Sequence, residues 1–342
     1  MTEVVVEIGN THEGSLGIAT SLVDMAESAG AKTVKFQMHF AEFESSTDEP
    51  FRAKFSMQDD SRFDYWKRVN FSSEDWLKLI RYVESKGLEF LCTPFSLQAA
   101  EWLQEKQAVK RWKIGSGDAT NYSMIDFMIG THLPLIISTG LIDDQEIKNL
   151  KSRLEKKGAW ERTTLLHCIS KYPVYSEETA LHQLIELSEL GCKVGYSDHS
   201  GEIYAPILSM CLGATIVEVH VTPTKDFFGP DVKSSLIPTQ IAEVVRFAKF
   251  LDAIKMDKRT KNELYEEVRG TAEIFRKGLY WRNSLKKGHL VTHSDLLQLK
   301  PLSSIRSEEI DQVVGKFVIQ DVSARQPLDW VQIAPQEISE EL

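Results

Sequence analysis

Two lysines and two histidines most directly suggest chemistry in this sequence, because each lies within or at the end of a short apolar run. Lys35 and Lys113 supply cations that suit phosphate and carboxylate groups. His199 and His220 end successive apolar runs, and imidazole suits manganese, iron, cobalt or zinc better than calcium. Two histidines alone are also typical of ordinary hydrogen-bonded side chains. The pattern therefore indicates an anion site and leaves open a divalent metal beside it.

Hydroxyl and carboxyl groups follow the other apolar runs. The hydroxyl groups, which would complete the hydrogen bonding of a bound anion, belong to Thr93, Ser116, Ser138, Ser170 and Ser197. The carboxylates, which suit a general base or contacts with sugar hydroxyl groups, belong to Glu7, Asp118 and Asp231. A single serine at a strand end is more often a turn former. The collection as a whole, and no one residue, therefore indicates a catalytic site.

The elements that must position these residues are strands that alternate with amphipathic helices. The predicted strands are Val4–Ile8, Thr33–Phe36, Glu89–Cys92, Trp112–Ile114, Leu135–Ser138, Leu165–Cys168, Lys193–Tyr196 and Ile216–Val221. The predicted helices are Leu16–Ala26, Ser72–Val83, Leu97–Glu105, Ile125–Gly130, Asp144–Lys157, Thr179–Leu190, Ile203–Leu212 and Thr239–Ala253. Ser72 and Gly87 have the types expected at the start and the end of the second helix.

Eight strand–helix repeats favour parallel strands with right-handed crossovers, closed into a (β/α)8 TIM barrel over residues 1–254. A doubly wound open sheet is the alternative, and it is less favoured because no strand is followed by a GxGxxG turn. In a barrel the active site lies where the strands end. The polar residues above should therefore converge.

The pattern of apolar and charged residues changes after the last predicted helix. Residues 255–277 are charged and lack strand patterns, so we interpret them as a helical or irregular linker. Residues 278–336 contain short β-like runs broken by turn residues, which predicts a small β-rich domain. Residues 337–342 form an acidic tail.

The composition excludes several classes of protein. The 42% hydrophobic and 26% charged residues exclude wholesale disorder, and the net charge of −10 gives no reason to expect nucleic acid or a membrane as partner. The four cysteines have no CxxC spacing, so a disulfide framework or zinc site is not expected. The first residues lack a signal-peptide pattern, and we expect a cytoplasmic protein.

An ordered set of short motifs resembles the sialic acid synthase family along nearly the whole chain. In the barrel these are Glu7-Ile8-Gly9, Val34-Lys35-Phe36-Gln37, Thr93-Pro94-Phe95, Lys113-Ile114-Gly115-Ser116-Gly117-Asp118, Ser138-Thr139-Gly140, His167-Cys168, Gly195-Tyr196-Ser197-Asp198-His199, Glu218-Val219-His220 and Gly229-Pro230-Asp231. The tail resembles that family's antifreeze-like (SAF) domain through Gly278-Leu279-Tyr280, Lys286-Lys287-Gly288, Leu299-Lys300-Pro301, Val314-Gly315-Lys316 and Pro327-Leu328. Each motif alone is weak, whereas the collinear set is specific.

The resemblance implies an enzyme that condenses phosphoenolpyruvate with an open-chain N-acetylated aldose. The residues that it implies for phosphoenolpyruvate are Lys35, Thr93, Lys113, Ser116, Ser138, Ser170 and Ser197. It implies Mn²⁺ or Mg²⁺ on His199 and His220, and Asp118 as the acid/base carboxylate. Glu7, Asp231 and Lys300 would bind the sugar. It also implies a domain-swapped homodimer in which the small domain of one chain caps the barrel of the other.

The sequence departs from the family pattern at three places. Thr11-His12-Glu13-Gly14 replaces the common Asn-His-Asn-Gly, and Ser170 stands where an asparagine often follows the His-Cys pair. Lys300 stands where many bacterial members have an arginine, and a point charge does not reproduce a planar guanidinium. These departures bear on the acceptor sugar. Two other hypotheses remain: a Schiff-base pyruvate aldolase using Lys35 or Lys113, and an inactive relative that binds a glycan or a partner.

Overall fold

The computed structural model describes residues 2–51, 55 and 58–335. Two compact units divide the chain between Met256 and Asp257. The predicted acidic tail, residues 337–342, lies outside the described residues. Within the described residues, no helix has both the length and the apolar character needed to cross a membrane.

All eight predicted strands are present in the first unit, with small differences at their ends. They are β1 (Glu3–Gly9), β2 (Thr33–Met38), β3 (Glu89–Pro94), β4 (Trp112–Ile114), β5 (Leu135–Ser138), β6 (Thr163–His167), β7 (Lys193–Asp198) and β8 (Ile216–Val221). Their hydrogen-bonded order is β3-β2-β1-β8-β7-β6-β5-β4, with every neighbouring pair parallel. β3 and β4 contact each other at the remaining seam. The predicted barrel is confirmed, and a short ninth strand, β9 (Ser235–Leu236), pairs with β8.

The predicted helices of the first unit are also present, and two short helices were not predicted. The helices are α1 (Leu16–Ser28), α2 (Ala41–Glu44), α3 (Arg62–Val69), α4 (Ser73–Ser85), α5 (Leu97–Glu105), α6 (Tyr122–Gly130), α7 (Asp144–Lys156), α8 (Gln183–Ser188), α9 (Tyr204–Cys211) and α10 (Pro238–Met256). The unpredicted helices, α2 and α3, lie in the long connection between β2 and α4. A local aromatic cluster that includes Tyr65, Trp66 and Phe55 stabilises this connection. We refer to the described part of residues 39–71 as the β2–α4 lobe.

The start and the end of α4 are determined by local capping interactions. The side chain of Ser72 accepts a hydrogen bond from the backbone N–H of Asp75, which caps the first turn. Trp76 and Leu79 lie on the buried face of the helix. Gly87 follows the last turn with φ +69°, a left-handed conformation that glycine adopts without a Cβ clash. The boundaries predicted from Ser72 and Gly87 are therefore confirmed.

The barrel interior has an apolar layer with a polar layer above it. The apolar layer is a cluster of Val5, Leu91, Ile136, Leu166 and Ile216. Side chains two residues further along a strand point to the same face. The corresponding next positions are Glu7, Thr93, Ser138, Cys168 and Glu218. The alternation of the strands thus brings polar groups together directly above a packed floor.

The second unit has its own small core. Its strands are β10 (Gly278–Trp281), β11 (Leu296–Leu299), β12 (Phe317–Val318) and β13 (Ile333–Ala334), and its helices are α11 (Lys261–Glu267), α12 (Arg269–Phe275) and α13 (Ile310–Val313). β10 pairs with β11 and β12 with β13, both antiparallel. Leu279, Trp281 and Ile305 belong to the buried core of this unit. The predicted linker segment contains α11 and α12, and the antifreeze-like assignment stays a prediction.

Gly195 offers a test of how tightly the barrel wall is packed. A Cβ at Gly195 would lie 2.5 Å from the Ile216 carbonyl oxygen and 2.5 Å from Leu166 Cδ2. We expect Gly195→Ala to lower the free energy of unfolding by about 1–3 kcal/mol, the usual cost of overpacking. Gly130→Ala is the control, because no atom lies within 4 Å of the added Cβ at the end of α6. Urea unfolding of both variants would contradict the packing argument if they were equally stable.

Candidate active site

A cavity of about 630 Å³ opens where the barrel strands end. All the predicted site residues of the first unit line it, namely Glu7, Lys35, Thr93, Lys113, Ser116, Asp118, Ser138, Ser170, Ser197, His199, His220 and Asp231. Lys300 belongs to the second unit, where its Nζ lies 5.2 Å from the ring centroid of Phe275. Its contact with a sugar stays a prediction.

Lys35 is held by two carboxylates. Its Nζ lies 2.8 Å from Glu7 Oε2 and 3.6 Å from Glu218 Oε1, and it donates a hydrogen bond to Thr93 Oγ1 at 3.3 Å. Burial by itself would lower the pKa of Lys35, but the charges of Glu218 and Glu7 outweigh it and raise that pKa. Lys35 is therefore a fixed cation at the floor of the cavity.

Lys113 approaches the same centre from the other side. Its Nζ donates to Ser138 Oγ at 2.8 Å and lies 3.8 Å from Glu218 Oε2. Burial lowers the pKa of Lys113, Glu218 opposes this shift, and the charge of Lys35 adds to it. The two ammonium groups thus share one carboxylate.

Glu218 is the central residue whose role the sequence analysis missed. It is buried, and Ser197 Oγ donates to its Oε1 at 2.9 Å. Burial would raise the pKa of Glu218, but Lys113 and Lys35 outweigh that effect and lower it well below its usual range. The signal was available, because Glu218 precedes His220 by two positions on β8 and so shares its inward face.

Asp118 and Ser116 lie together in the short 3₁₀ turn after β4. Asn121 Nδ2 donates to Asp118 Oδ1 at 3.1 Å, whereas burial raises the pKa of the Asp118 carboxyl above its ordinary value. Ser116 Oγ accepts from the backbone N–H of Gly140 and lies 3.2 Å from Cys168 Sγ. A Cβ at Gly140 would lie within 2.8 Å of Cys168 and Ser170. The loop after β5 therefore passes close to Ser170.

His199 and His220 lie side by side, with ring centroids 5.4 Å apart. His199 Nδ1 donates to the Ile169 carbonyl oxygen at 2.7 Å, and the hydroxyl of Tyr172 donates to Nε2 at 3.0 Å. Burial and the neighbouring His220 lower the pKa of His199 to about 3. His220 Nδ1 lies 3.9 Å from Asp231 Oδ2. Both imidazole rings line the cavity.

This pair fits a divalent metal in part. A neutral imidazole with one nitrogen bonded to a backbone carbonyl is the form in which histidine usually binds a metal. In residues 2–51, 55 and 58–335, no group of three or more His, Cys, Asp or Glu side chains converges as a metal site. The protein would therefore supply two imidazole ligands, with water and substrate oxygens in the other positions.

The β2–α4 lobe adds cavity residues that the sequence analysis did not single out. His39 lies stacked between Trp66 and Phe95, with ring centroids 3.9 and 4.5 Å away. Its Nδ1 donates to Glu44 Oε1 at 2.6 Å. Asn10 Nδ2 donates to His39 Nε2 at 3.1 Å. No sequence motif predicts these contacts, because they depend on how the lobe folds over the strand ends.

His12 lies in the loop after β1 and packs against the β2–α4 lobe. It is fully buried, and its ring stacks on Phe71 with centroids 4.5 Å apart. Its Nδ1 accepts from the backbone N–H of Gly14, and its Nε2 has no hydrogen-bond partner among the described residues. Burial is the main cause that lowers the pKa of His12 to about 3. The ring is therefore neutral near pH 7.

Together the fold and the cavity define a barrel whose strand ends converge on two buried lysines, carboxylates and imidazoles. The two buried lysines and their hydroxyl neighbours suit a phosphate or carboxylate, whereas the carboxylates and imidazoles beside them suit proton transfer and metal binding. The strand ends of such a barrel are where active sites lie.

Comparison with known proteins identifies the family. Residues 22–261 match the model of the NeuB family. The chain is 31% identical to the N,N'-diacetyllegionaminic acid synthase of Legionella pneumophila over 96% of this chain and 94% of that protein. It is 28% identical to the human N-acetylneuraminate-9-phosphate synthase over 92% and 88% of the two chains. The protein belongs to the NeuB family, that is, the sialic acid synthase family.

A solved structure agrees with this result. The N-acetylneuraminic acid synthetase of Leptospira borgpetersenii, crystallised with citrate, matches with a TM-score of 0.68 and 28% identity. The match covers 79% of this chain and 92% of that one. Both comparisons support an enzyme of carbohydrate biosynthesis.

We expect His12 to make the free energy of unfolding depend on pH. Its pKa is about 3 in the folded protein and near 6.5 when unfolded, so the unfolded state binds the extra proton between these values. Stability should be complete above about pH 6.5 and fall toward pH 3 by up to about 1.4 kcal/mol per pH unit. Urea unfolding between pH 4 and 8 should show a smaller slope for His12→Gln. The exposed His182→Gln is the control, and equal slopes in all three proteins would refute the assignment.

Proposed function

We propose that this protein condenses phosphoenolpyruvate with an open-chain N-acetylated aldose, releasing phosphate and forming a nonulosonic acid. The observation that carries this proposal is the pair of buried ammonium groups, Lys35 and Lys113, at the end of the cavity where hydroxyl groups also converge. The names of the Legionella and human relatives support the product class.

Phosphoenolpyruvate would lie across the two lysines. Lys35 and Lys113 neutralise its phosphate and carboxylate, and the hydroxyl groups donate the remaining hydrogen bonds. These donors are Thr93, Ser116, Ser138, Ser170 and Ser197. Since the ammonium groups are already fixed by Glu7 and Glu218, little reorganisation is needed when the anion binds.

His199 and His220 would hold Mn²⁺ or Mg²⁺ next to the acceptor. Lewis acidity toward the aldehyde oxygen is the chemistry that a bound divalent metal supplies at this position. Glu7 and Asp231 would accept hydrogen bonds from the acceptor's hydroxyl groups. Lys300 would bind the same sugar within a homodimer whose small domain caps the partner's barrel.

The reaction forms a carbon–carbon bond and breaks a carbon–oxygen bond. The methylene carbon of phosphoenolpyruvate attacks the aldehyde carbon, which leaves positive charge at C2, and the aldehyde oxygen takes a proton and becomes a hydroxyl group. Asp118 accepts a proton from the water that adds at C2. The C–O bond to phosphate in the tetrahedral adduct then breaks, phosphate leaves with the bonding electrons and the C2 hydroxyl proton, and the C2 ketone remains. The raised pKa of Asp118 suits this task, because it brings the carboxyl closer to the working pH.

Phosphate release from phosphoenolpyruvate tests the reaction. With Mn²⁺, we expect release that depends on one acceptor among N-acetylmannosamine, its 6-phosphate and a 2,4-diacetamido-trideoxyhexose, and that chelation abolishes. No release with any of the three acceptors would count against the proposed function.

Asp118→Asn tests the base. The substitution keeps the size and the hydrogen bond of the side chain but cannot accept the proton, so kcat should fall by about 10²–10⁴-fold. Phosphoenolpyruvate binding, measured by calorimetry, should be unchanged. Asp126→Asn is the matched control, because Asp126 lies on α6 and pairs with Arg153 outside the cavity. Near-normal turnover of Asp118→Asn would show that another group is the base.

A Schiff-base aldolase is the second candidate, and one observation favours it. Burial lowers the pKa of Lys113, and a less protonated amine is a better nucleophile. Borohydride reduction in the presence of pyruvate separates the two reactions. We expect no covalent adduct by mass spectrometry. An adduct that disappears in Lys113→Met would establish the aldolase instead.

A further inference from the structure

One corner of the cavity contains buried hydrogen-bond acceptors that lack a donor in the described part of the chain. Among the described residues, Glu44 Oε2 and Asn10 Oδ1 are buried and have no hydrogen-bond partner. Both residues line the cavity. A buried acceptor without a donor is unfavourable, so native proteins rarely leave one unpaired. These two oxygens are therefore suited to a ligand that donates N–H or O–H groups.

The corner is held rigidly by His39. The other oxygen of Glu44, Oε1, accepts from His39 Nδ1 at 2.6 Å, and the other end of the Asn10 amide, Nδ2, donates to His39 Nε2 at 3.1 Å. The stacking of His39 between Trp66 and Phe95 fixes the ring plane. Each unpaired oxygen thus belongs to a side chain whose remaining polar atom is already bound. We call Asn10, His39 and Glu44 the acceptor corner.

Among the described residues, several carboxylates lie near this corner. Asp118 interacts electrostatically with both Glu44 and His39. Glu49 also lines the cavity, where it pairs with Arg62 at 3.1 Å and accepts from Trp66 Nε1 at 3.0 Å. Arg62, the arginine that lines the cavity in the described part of the lobe, is therefore already paired with Glu49. A phosphate placed here would meet carboxylates, and like charges in contact are strongly unfavourable.

The walls beside the corner are aromatic. Phe51, Phe55 and Tyr65 line the cavity, and Phe55 packs edge-on against Tyr65 with centroids 5.0 Å apart. Such surfaces bind apolar groups, including methyl groups. An N-acylamino substituent combines an N–H donor with a methyl group, and so matches both the unpaired oxygens and the aromatic wall.

We propose that Asn10, His39 and Glu44 form a specificity-determining subsite for the acceptor, which takes its N–H and O–H donors and selects an uncharged, N-acylated sugar over a sugar phosphate. This inference rests on the proposed function. It extends that function by assigning residues outside the phosphoenolpyruvate and metal positions. It also specifies that the acceptor is an uncharged sugar and not a sugar phosphate.

The first experiment compares acceptors with the unaltered enzyme. Phosphate release is measured with Mn²⁺, phosphoenolpyruvate and either an uncharged N-acylated aldose or its 6-phosphate. We expect kcat/KM for the phosphorylated sugar to be at least about 100-fold lower, because its charge meets Glu44. Equal or better use of the sugar phosphate would overturn this inference and leave the proposed function intact. No release with either sugar would refute the proposed function itself.

The second experiment changes the corner by one atom. Glu44→Gln can keep an oxygen facing His39 and places an N–H₂ donor where the unpaired oxygen stood. We expect KM for the uncharged sugar to rise by about 10–100-fold while KM for phosphoenolpyruvate stays within about twofold. The relative kcat/KM for the sugar phosphate should increase, since one negative charge is gone.

Glu42→Gln is the matched control on the same short helix. Glu42 is exposed and pairs with Lys67 at 3.2 Å, away from the cavity. It should leave both KM values unchanged. A Glu44→Gln enzyme with an unaltered sugar KM, or one that weakened both substrates equally, would show that Glu44 has only a structural role.

Discussion

The sharing of one buried carboxylate by two buried ammonium groups is the interaction on which the site depends. Glu218 lies 3.6 Å from Lys35 and 3.8 Å from Lys113, and Glu7 adds a second negative charge at 2.8 Å. Removing one partner from such a pair typically costs about 3–5 kcal/mol, because the other charge is left buried. The cluster keeps two cations at the floor of a cavity in a protein of net charge −10. The ammonium groups are thus held in place as hydrogen-bond donors for an anion that enters the cavity.

The barrel makes this cluster possible through the period of its strands. Apolar side chains form the floor, and the next inward position on the same strands carries the polar groups, as with Val5 and Glu7 on β1. The parallel register places Glu7 opposite Lys35 on β2 and opposite His220 on β8. Charges far apart in sequence thus become neighbours on a rigid sheet, where their geometry does not depend on loops.

The β2–α4 lobe forms one wall of the cavity and is attached to the barrel by side-chain ion pairing and hydrogen bonding. Arg68 pairs with Asp59 at 2.8 Å and with Glu13 at 2.9 Å, and Tyr65 donates to Glu13. Glu13 thus attaches the lobe to the loop after β1. A Cβ at Gly14 would lie 2.5 Å from the Arg68 carbonyl oxygen, which shows how closely the two segments approach. Acceptor recognition would depend on this attachment.

The sequence by itself determined the eight strands, most helices and the cavity residues of the barrel, because strand and helix periods are local and parallel strands end at one edge. Lys35, His199 and Asp118 were found in this way. Tertiary structure alone decided that Glu218 balances both lysines and that His39 is clamped between Trp66 and Phe95. These contacts join residues that are distant in sequence. The β2–α4 lobe has no long periodic pattern, and its side chains acquire their partners only when it packs over the strand ends.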